Sequence, residues 1–204
     1  MKSKGFFITF EGIDGAGKTT QIKSLANLFT ELGREYIVTR EPGGTELGEQ
    51  IRDILKKYQL DPKNETLLLY ANRLDHVEKL IKPSIKQGKI VISDRFDDST
   101  VAYQHFGRGI PIEDIDKIRS FTIGTFEPDL TFFLDLDLEE KYDRMSSRKL
   151  DTIEKSGTEF FSRVVDGYRK MASNTPRIVR IDGSQRQEKV FEDIKSILLE
   201  KINL

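Results

Sequence analysis

The segment FEGIDGAGKTTQ places Gly12, Gly17, Lys18 and Thr19 in the pattern GxxxxGK(S/T). Glycines let such a loop turn with positive φ and aim successive N–H groups inward, where they meet phosphate oxygens at a helix N-terminus. Ile13, Asp14, Gly15, Ala16 and Thr20 complete the loop and its exit. In this setting Lys18 would bridge the β- and γ-phosphates of a nucleoside triphosphate, and the Thr19 hydroxyl would ligate magnesium. A second acid fits the same chemistry. The run IVISD ends in Asp94, where a strand-end carboxylate holds a magnesium-bound water. Alone, an aspartate there is as readily a helix cap; beside a phosphate loop it reads as a metal-site acid.

The elements that must position these groups are legible as alternating patterns. GFFITFE (5–11), YIVTRE (36–41), KIVISD (89–94), DLTFFLDL (129–136) and PRIVRID (176–182) are short apolar runs that read as strands. They alternate little between apolar and polar, as expected for a parallel sheet covered by helices on both faces. Between them lie segments of helical period. Ile22, Leu25, Ala26, Leu28, Phe29 and Leu32 form one apolar face, closed by Gly33 as a C-cap, and Val190, Ile194, Ile197 and Leu198 repeat the pattern near the C-terminus. Strand and helix alternate throughout, which predicts an α/β doubly wound sheet with right-handed crossovers. Residues 42–88 should hold two or more helices, and the charge-rich interval 137–175 is the expected mobile element. No linker, repeat or low-complexity tract divides the 204 residues, so a single domain over 1–204 is expected.

Composition narrows the chemistry. Lysine plus arginine (33) nearly cancels aspartate plus glutamate (34), leaving a net charge of -1 and no global field to recruit nucleic acid or an acidic membrane. Cysteine is absent, which removes disulfides, thiolate catalysis and Cys-ligated metal centres, and His76 and His105 are the only imidazoles. The N-terminal run FFITF is stopped by Glu11 before a signal-peptide core could form, so a cytoplasmic protein is expected. Within nucleotide enzymes, a GTPase would carry a base-reading NKxD, which the sequence lacks, and a motor or assembly ATPase usually needs more chain. Cations spread over several strand ends suit a kinase that must neutralise a second phosphorylated substrate. A non-catalytic nucleotide-binding module is the alternative, and it would bind ATP without turnover.

Six segments together, FEGIDGAGKTTQ, TREPGGTELGEQIR, LLLYANR, DRFDDSTVAYQ, GRGI and EPDLTFFLDL, resemble the thymidylate kinase family in order and spacing over residues 6 to about 137, and more loosely to about 182. The resemblance implies a P-loop NTPase three-layer sandwich, with a five-stranded parallel sheet flanked by helices and a mobile lid at about 141–156. It implies ATP and dTMP as substrates, dTDP and ADP as products, Mg2+ as cofactor and a homodimer. A kinase for dUMP or a broader deoxynucleotide set is the nearest alternative, because one methyl group is worth only about 1–3 kcal/mol of discrimination.

The resemblance also assigns residues. Asp14 matches the carboxylate that contacts the acceptor sugar 3'-hydroxyl, with a solvated loop acid as its alternative. Arg95 matches the arginine that grips the acceptor phosphate; by residue type alone it could instead pair with Asp97 or Asp98. Arg52 and Arg73 match positions lining the acceptor pocket, Arg73 near the thymine edge, although helical arginines are often solvated. Thr100 and Gln104 match base-reading side chains. Tyr103 matches a ring that crowds a ribose 2'-hydroxyl; by pattern alone the STVAYQ stretch reads first as an amphipathic helix with Tyr103 as core. Pro42 matches a proline that is often cis. Where the family commonly stacks a phenylalanine on thymine, this chain has Leu69, followed by Tyr70. Aliphatic packing forgoes ring stacking worth about 0.5–1.5 kcal/mol.

The family's additional arginine sits either in the phosphate loop or in the lid. Gly15 supplies no charge at the loop position, whereas YDRMSSRKLDTIE supplies Arg144 and Arg148, so the resemblance is to the lid type. Four residues apart, the two share a helical face, where like charges cost about 0.2–0.5 kcal/mol unless an anion lies between them. A solvated basic face compensated by Asp143 and Asp151 is the alternative reading.

Overall fold

The computed structural model describes residues 5–145 and 157–202. Its centre is one five-stranded sheet built from β1 (Phe6–Glu11), β2 (Tyr36–Arg40), β3 (Ile90–Asp94), β4 (Leu130–Asp135) and β5 (Ile178–Asp182), in the order β2-β3-β1-β4-β5. Every pairing is parallel. The expected strands are all present, with ends shifted by a residue or two. The central strands bury both faces, and β4 is buried at every position. The edge strand β2 leaves Val38 half exposed.

Helices cover both faces. Successive side chains of a strand alternate sides, and β1 divides its chemistry accordingly. Ile8 and Phe10 join Ile92, Phe132 and Leu134 under α1 (Lys18–Glu31) and α9 (Gln187–Ile202). Phe7, Thr9 and Glu11 occupy the opposite side. Phe7 packs with Val77, Ile81, Val91 and Phe96. Thr9 meets Thr131 at 2.7 Å between hydroxyls, and Glu11 faces Tyr168 of α8 (Thr158–Asn174). That side therefore turns polar toward the C-terminal edge of the sheet, where ligands of such folds bind.

The interval 42–88 holds α2 (Glu46–Lys57), α3 (Pro62–His76) and α4 (Lys82–Lys86), the last two joined by a π-helical turn over Val77–Ile81. In an α-helix the ring of Pro83 would clash with the carbonyl of Lys79; the wider π turn accommodates it, closing with Lys82 N–H on Val77 O. A second π segment, Val101–Gly107, continues α5 (Asp97–Thr100) in the stretch read as an amphipathic helix, and α6 (Ile112–Thr122) follows. The charge-rich interval contributes α7 (Leu138–Met145) and α8; the expected lid, from 146 to 156, lies outside the described residues. Gly33 has φ +62 just past α1, as its C-cap reading requires, and Glu41–Pro42 is cis. Among the described residues no helix is long and apolar enough to cross a membrane.

Candidate active site

Strands β1 and β3 are neighbours, and the loops that leave them build the site together. The loop after β1 turns on Gly12 (φ +128), Gly15 (+87) and Gly17 (+93). A Cβ on Gly12 would sit 2.5 Å from the carbonyl oxygen of Leu134, so the close approach to β4 requires glycine. Ile13 and Ala16 bury their side chains in the core, anchoring the loop and leaving its backbone to face outward. Gly17 is the left-handed N-cap of α1, which directs the first-turn amides of Lys18, Thr19 and Thr20 at whatever occupies the loop. Lys18 is buried, and its Nζ donates to Gly12 O (3.0 Å) and Ile13 O (3.1 Å). Burial, followed by the charge of Arg95, lowers its pKa. Thr19 is exposed at the mouth of the loop.

Arg95 follows β3 and is the only non-glycine residue with positive φ (+73) among the described residues. A left-handed conformation costs about 1–3 kcal/mol and persists only where surrounding contacts over-determine it. Here Arg95 N–H donates to Phe10 O (2.9 Å), Ser93 Oγ donates to Arg95 O (2.7 Å) and Phe96 N–H donates to Glu11 Oε1 (2.7 Å). The guanidinium donates to Asp14 Oδ1 (3.0 Å), Ser99 Oγ (3.2 Å), Tyr103 OH (3.3 Å) and Tyr168 OH (3.4 Å). Arg95 thus partners Asp14; Asp97 pairs instead with Arg73 and Arg119, and Asp98 with Arg177. Burial alone would raise the Asp14 carboxyl, but Arg95 and then Lys18 hold it well below the usual carboxylate range. Next to Arg95, Asp94 Oδ1 is buried and has no hydrogen-bond partner.

A cleft of about 160 Å3 opens beside Asp14 and Arg95, lined also by Arg52, Leu69, Arg73, Thr100, Tyr103 and Gln104. The sequence-predicted acceptor residues therefore converge on one cavity. Arg73 is 1% exposed, so the solvated reading fails. Its Nε donates to Glu41 (2.9 Å), Nη1 to Asp97 (3.0 Å), and Nη2 to Phe96 O (3.1 Å) and Thr100 Oγ1 (3.0 Å). Of the five N–H donors of a guanidinium, one on Nη1 is left for a ligand. Burial lowers the pKa of Arg73, but Glu41 and Asp97 outweigh it and raise the net value. Gln104 donates through Nε2 to Glu65 (2.9 Å), while its buried Oε1 has no partner. Arg52 donates to Pro42 O at 2.8 Å. Tyr103 is a buried ring, as its helix-core reading expects, and its hydroxyl engages Arg95. Arg148 lies outside the described residues, and Arg144 is placed only by its backbone in α7.

Several contributors escaped the sequence reading. Glu41, left there without a role, is the hub that joins Arg73 to His76 Nδ1 (2.9 Å). Glu11 is fully buried and accepts from Phe96, Ser99 and Tyr168. Burial, followed by the charge of Asp98, pushes its pKa up to about 7, against the pull of Arg95 and the two hydroxyls. An acid at the end of the apolar run FFITFE was its one sequence signal. Lys141 on α7 is buried with Nζ 3.0 Å from the Phe161 ring centroid, and its charge helps keep Asp14 ionised.

Known proteins resemble this chain in sequence and fold. A family model described as Thymidylate kinase matches residues 10–194. A thymidylate kinase of Trichodesmium erythraeum is 41% identical over 217 residues, covering 97% of this chain and 96% of that protein. One from Pelotomaculum thermopropionicum is 44% identical over 192 residues, covering 92% and 89%. The crystal structure of thymidylate kinase from Ehrlichia chaffeensis superposes with a TM-score of 0.77 at 40% identity, over 95% of this chain and 98% of that one.

The buried ion pair behind the cleft has a measurable consequence. Glu41→Leu leaves Arg73 half-compensated and His76 without its carboxylate, and is expected to lower the unfolding free energy in urea by about 3–5 kcal/mol. A loss under about 1 kcal/mol would mean that Asp97 alone suffices.

Proposed function

The chain belongs to the thymidylate kinase family and phosphorylates dTMP with ATP, and from that premise we propose that the γ-phosphoryl group passes directly and in line, with no general base. The observation that carries this reading is the position of Arg95, its guanidinium between the phosphate loop and the cleft and already paired with Asp14. A nucleoside monophosphate has a second pKa of about 6, so its oxygen is largely deprotonated at pH 7. What the enzyme must supply is alignment of two polyanions and cancellation of their repulsion.

The residues divide that task. The loop amides from Gly12 to Thr20 and Lys18 hold the ATP phosphates. Arg95 takes the dTMP phosphate and turns it toward ATP. Asp14, kept ionised, accepts from the sugar 3'-hydroxyl. Tyr103, pinned by its hydroxyl, fills the space a ribose 2'-hydroxyl would need. The spare Nη1 donor of Arg73 and the unpartnered Oε1 of Gln104 suit the adjacent carbonyl and N–H of a thymine edge, with Thr100 beside them and Leu69 and Arg52 closing the cleft.

Thr19 and the free oxygen of Asp94 would hold magnesium, which would neutralise phosphate charge there. Among the described residues no cluster of three acidic or imidazole groups could cage a metal alone. That sparse donor set is the kind magnesium uses when phosphates and waters supply its remaining ligands. Arg144 and Arg148 are assigned to the ATP side on the family resemblance, within one kinase domain over 1–204 whose lid spans about 141–156. The two charged nucleotide substrates favour a cytoplasmic location. A homodimer is supported by apolar side chains left exposed at heptad spacing, Leu47 with Ile54 on α2 and Leu67 with Leu74 on α3, and by Phe121 on α6, 89% exposed.

Coupled ADP-release assays test the reaction. Turnover is expected with dTMP, ATP and Mg2+, and Lys18→Ala and Arg148→Ala should each lower kcat by about 10³-fold. No turnover of dTMP by the wild type, or an unaffected Lys18→Ala, would overturn the assignment. Leu69→Phe restores a stacking ring and should lower the dTMP KM about two- to tenfold, given the stacking energy above; an unchanged KM would remove Leu69 from base contact. Light scattering should report a dimer for the wild type and a shift toward monomer for Leu67→Glu, whereas a monomeric wild type would contradict the dimer.

A further inference from the structure

Arg95 reaches the cleft only because of what stands behind it. On the side away from Asp14, its Nη1 donates to two hydroxyls, Ser99 Oγ and Tyr168 OH, which lie 2.8 Å from each other. Both hydroxyls converge on one oxygen, Glu11 Oε2, at 2.5 and 2.9 Å. The other carboxylate oxygen accepts the amide of Phe96, the residue after the left-handed one. Glu11 does not itself line the cleft and is 0% exposed; it meets the cleft only through Ser99 and Phe96, which do line it.

We propose that Glu11 is a positioning residue for dTMP phosphate binding, acting through Ser99 and Tyr168 to fix the aim of Arg95. Ionised above its pKa of about 7, the Glu11 carboxylate only accepts. Each hydroxyl has a single proton, and both protons are committed to Oε2, so the lone pairs of Ser99 and Tyr168 face the guanidinium. Arg95 can then be held from behind by two neutral acceptors that match its donors without neutralising its charge. Were an acid placed in direct contact on that side, it would pair with Arg95 and compete with the incoming phosphate. The two-hydroxyl relay separates the functions: Glu11 supplies polarity, the hydroxyls supply contact, and the charge of Arg95 remains for the substrate. The same carboxylate clamps the Phe96 amide, so backbone and side chain of Arg95 are set by one group.

The inference rests on dTMP being the acceptor, and steady-state kinetics at pH 8 separate the two. An inactive wild type would count against the acceptor assignment; an active wild type with an indifferent variant would count against this inference alone. Glu11→Gln keeps the shape but places an amide donor against the hydroxyls, turning one proton toward Arg95. It is expected to raise the dTMP KM at least fivefold while the ATP KM stays within twofold. A smaller rise in dTMP KM, or equal rises in both, overturns the proposal. Should Glu11→Gln not fold, the hydroxyls decide. Ser99→Ala and Tyr168→Phe, the latter keeping the ring stacked on Phe133 at 5.0 Å, should each raise the dTMP KM at least threefold, with Ser99→Thr within twofold of wild type. If neither deletion does so, or threonine fails to rescue, Glu11 is only structural.

Discussion

A guanidinium held in a left-handed backbone position at the end of β3 is the constraint around which the site is organised. In the role proposed for it, Arg95 must be buried enough to act in a low dielectric and charged enough to bind a phosphate, and these demands conflict unless its donors are satisfied by groups that leave the charge usable. The neighbouring strand resolves the conflict. β1 supplies Phe10 O for the Arg95 amide, Glu11 for the next amide, and Asp14, three residues beyond the strand, for the guanidinium itself. Parallel pairing of β1 with β3, with Phe10 opposite Asp94, brings these groups within reach. The phosphate loop and Arg95 are therefore products of one strand pair, and a shift in register would move both.

The second buried guanidinium is treated differently. Arg73 is compensated by two carboxylates, Glu41 and Asp97, each shared with another base, His76 for the first and Arg119 for the second. A charge so thoroughly paired makes little net contribution to stability compared with an apolar replacement of the whole cluster. What the cluster provides is a fixed orientation, in which only a few donors and acceptors remain open toward the cleft. Arg95 faces one carboxylate, Asp14, whereas Arg73 is paired with two; the less compensated charge suits a phosphate and the fully paired one a neutral base edge.

Much of the frame was legible in the sequence because local patterns determine it. The strands were continuous apolar runs that no competing signal interrupts, and the loop Gly12–Thr19 combines a strand end, three positive-φ glycines and a helix start within a few residues. The π turns were not legible, since they answer to Pro83 and to packing against α8 and have no composition of their own. Nor was the Glu11–Tyr168 contact, which spans 157 residues and depends on β4 and α8 being laid beside β1. Arg73 was found as a pocket residue, but its burial was not, because helical periodicity cannot distinguish an arginine facing water from one facing Glu41 across 32 residues.

The placement of the two histidines argues the chemistry from the other direction. His76 is fully buried, with Nδ1 against Glu41 and Nε2 against Thr39 at 2.7 Å, and His105 holds Ile110 O at 2.7 Å. Both are structural pins rather than groups poised at the cleft, so neither is free to shuttle a proton. Asp14 is committed to Arg95, and Glu11 lies behind two hydroxyls that donate to it. With the acids and imidazoles so engaged, the cleft meets its ligand chiefly with N–H donors and guanidinium charge. Such a surface suits the in-line transfer proposed above, in which the nucleophile arrives already deprotonated and the barrier is dominated by repulsion between anions.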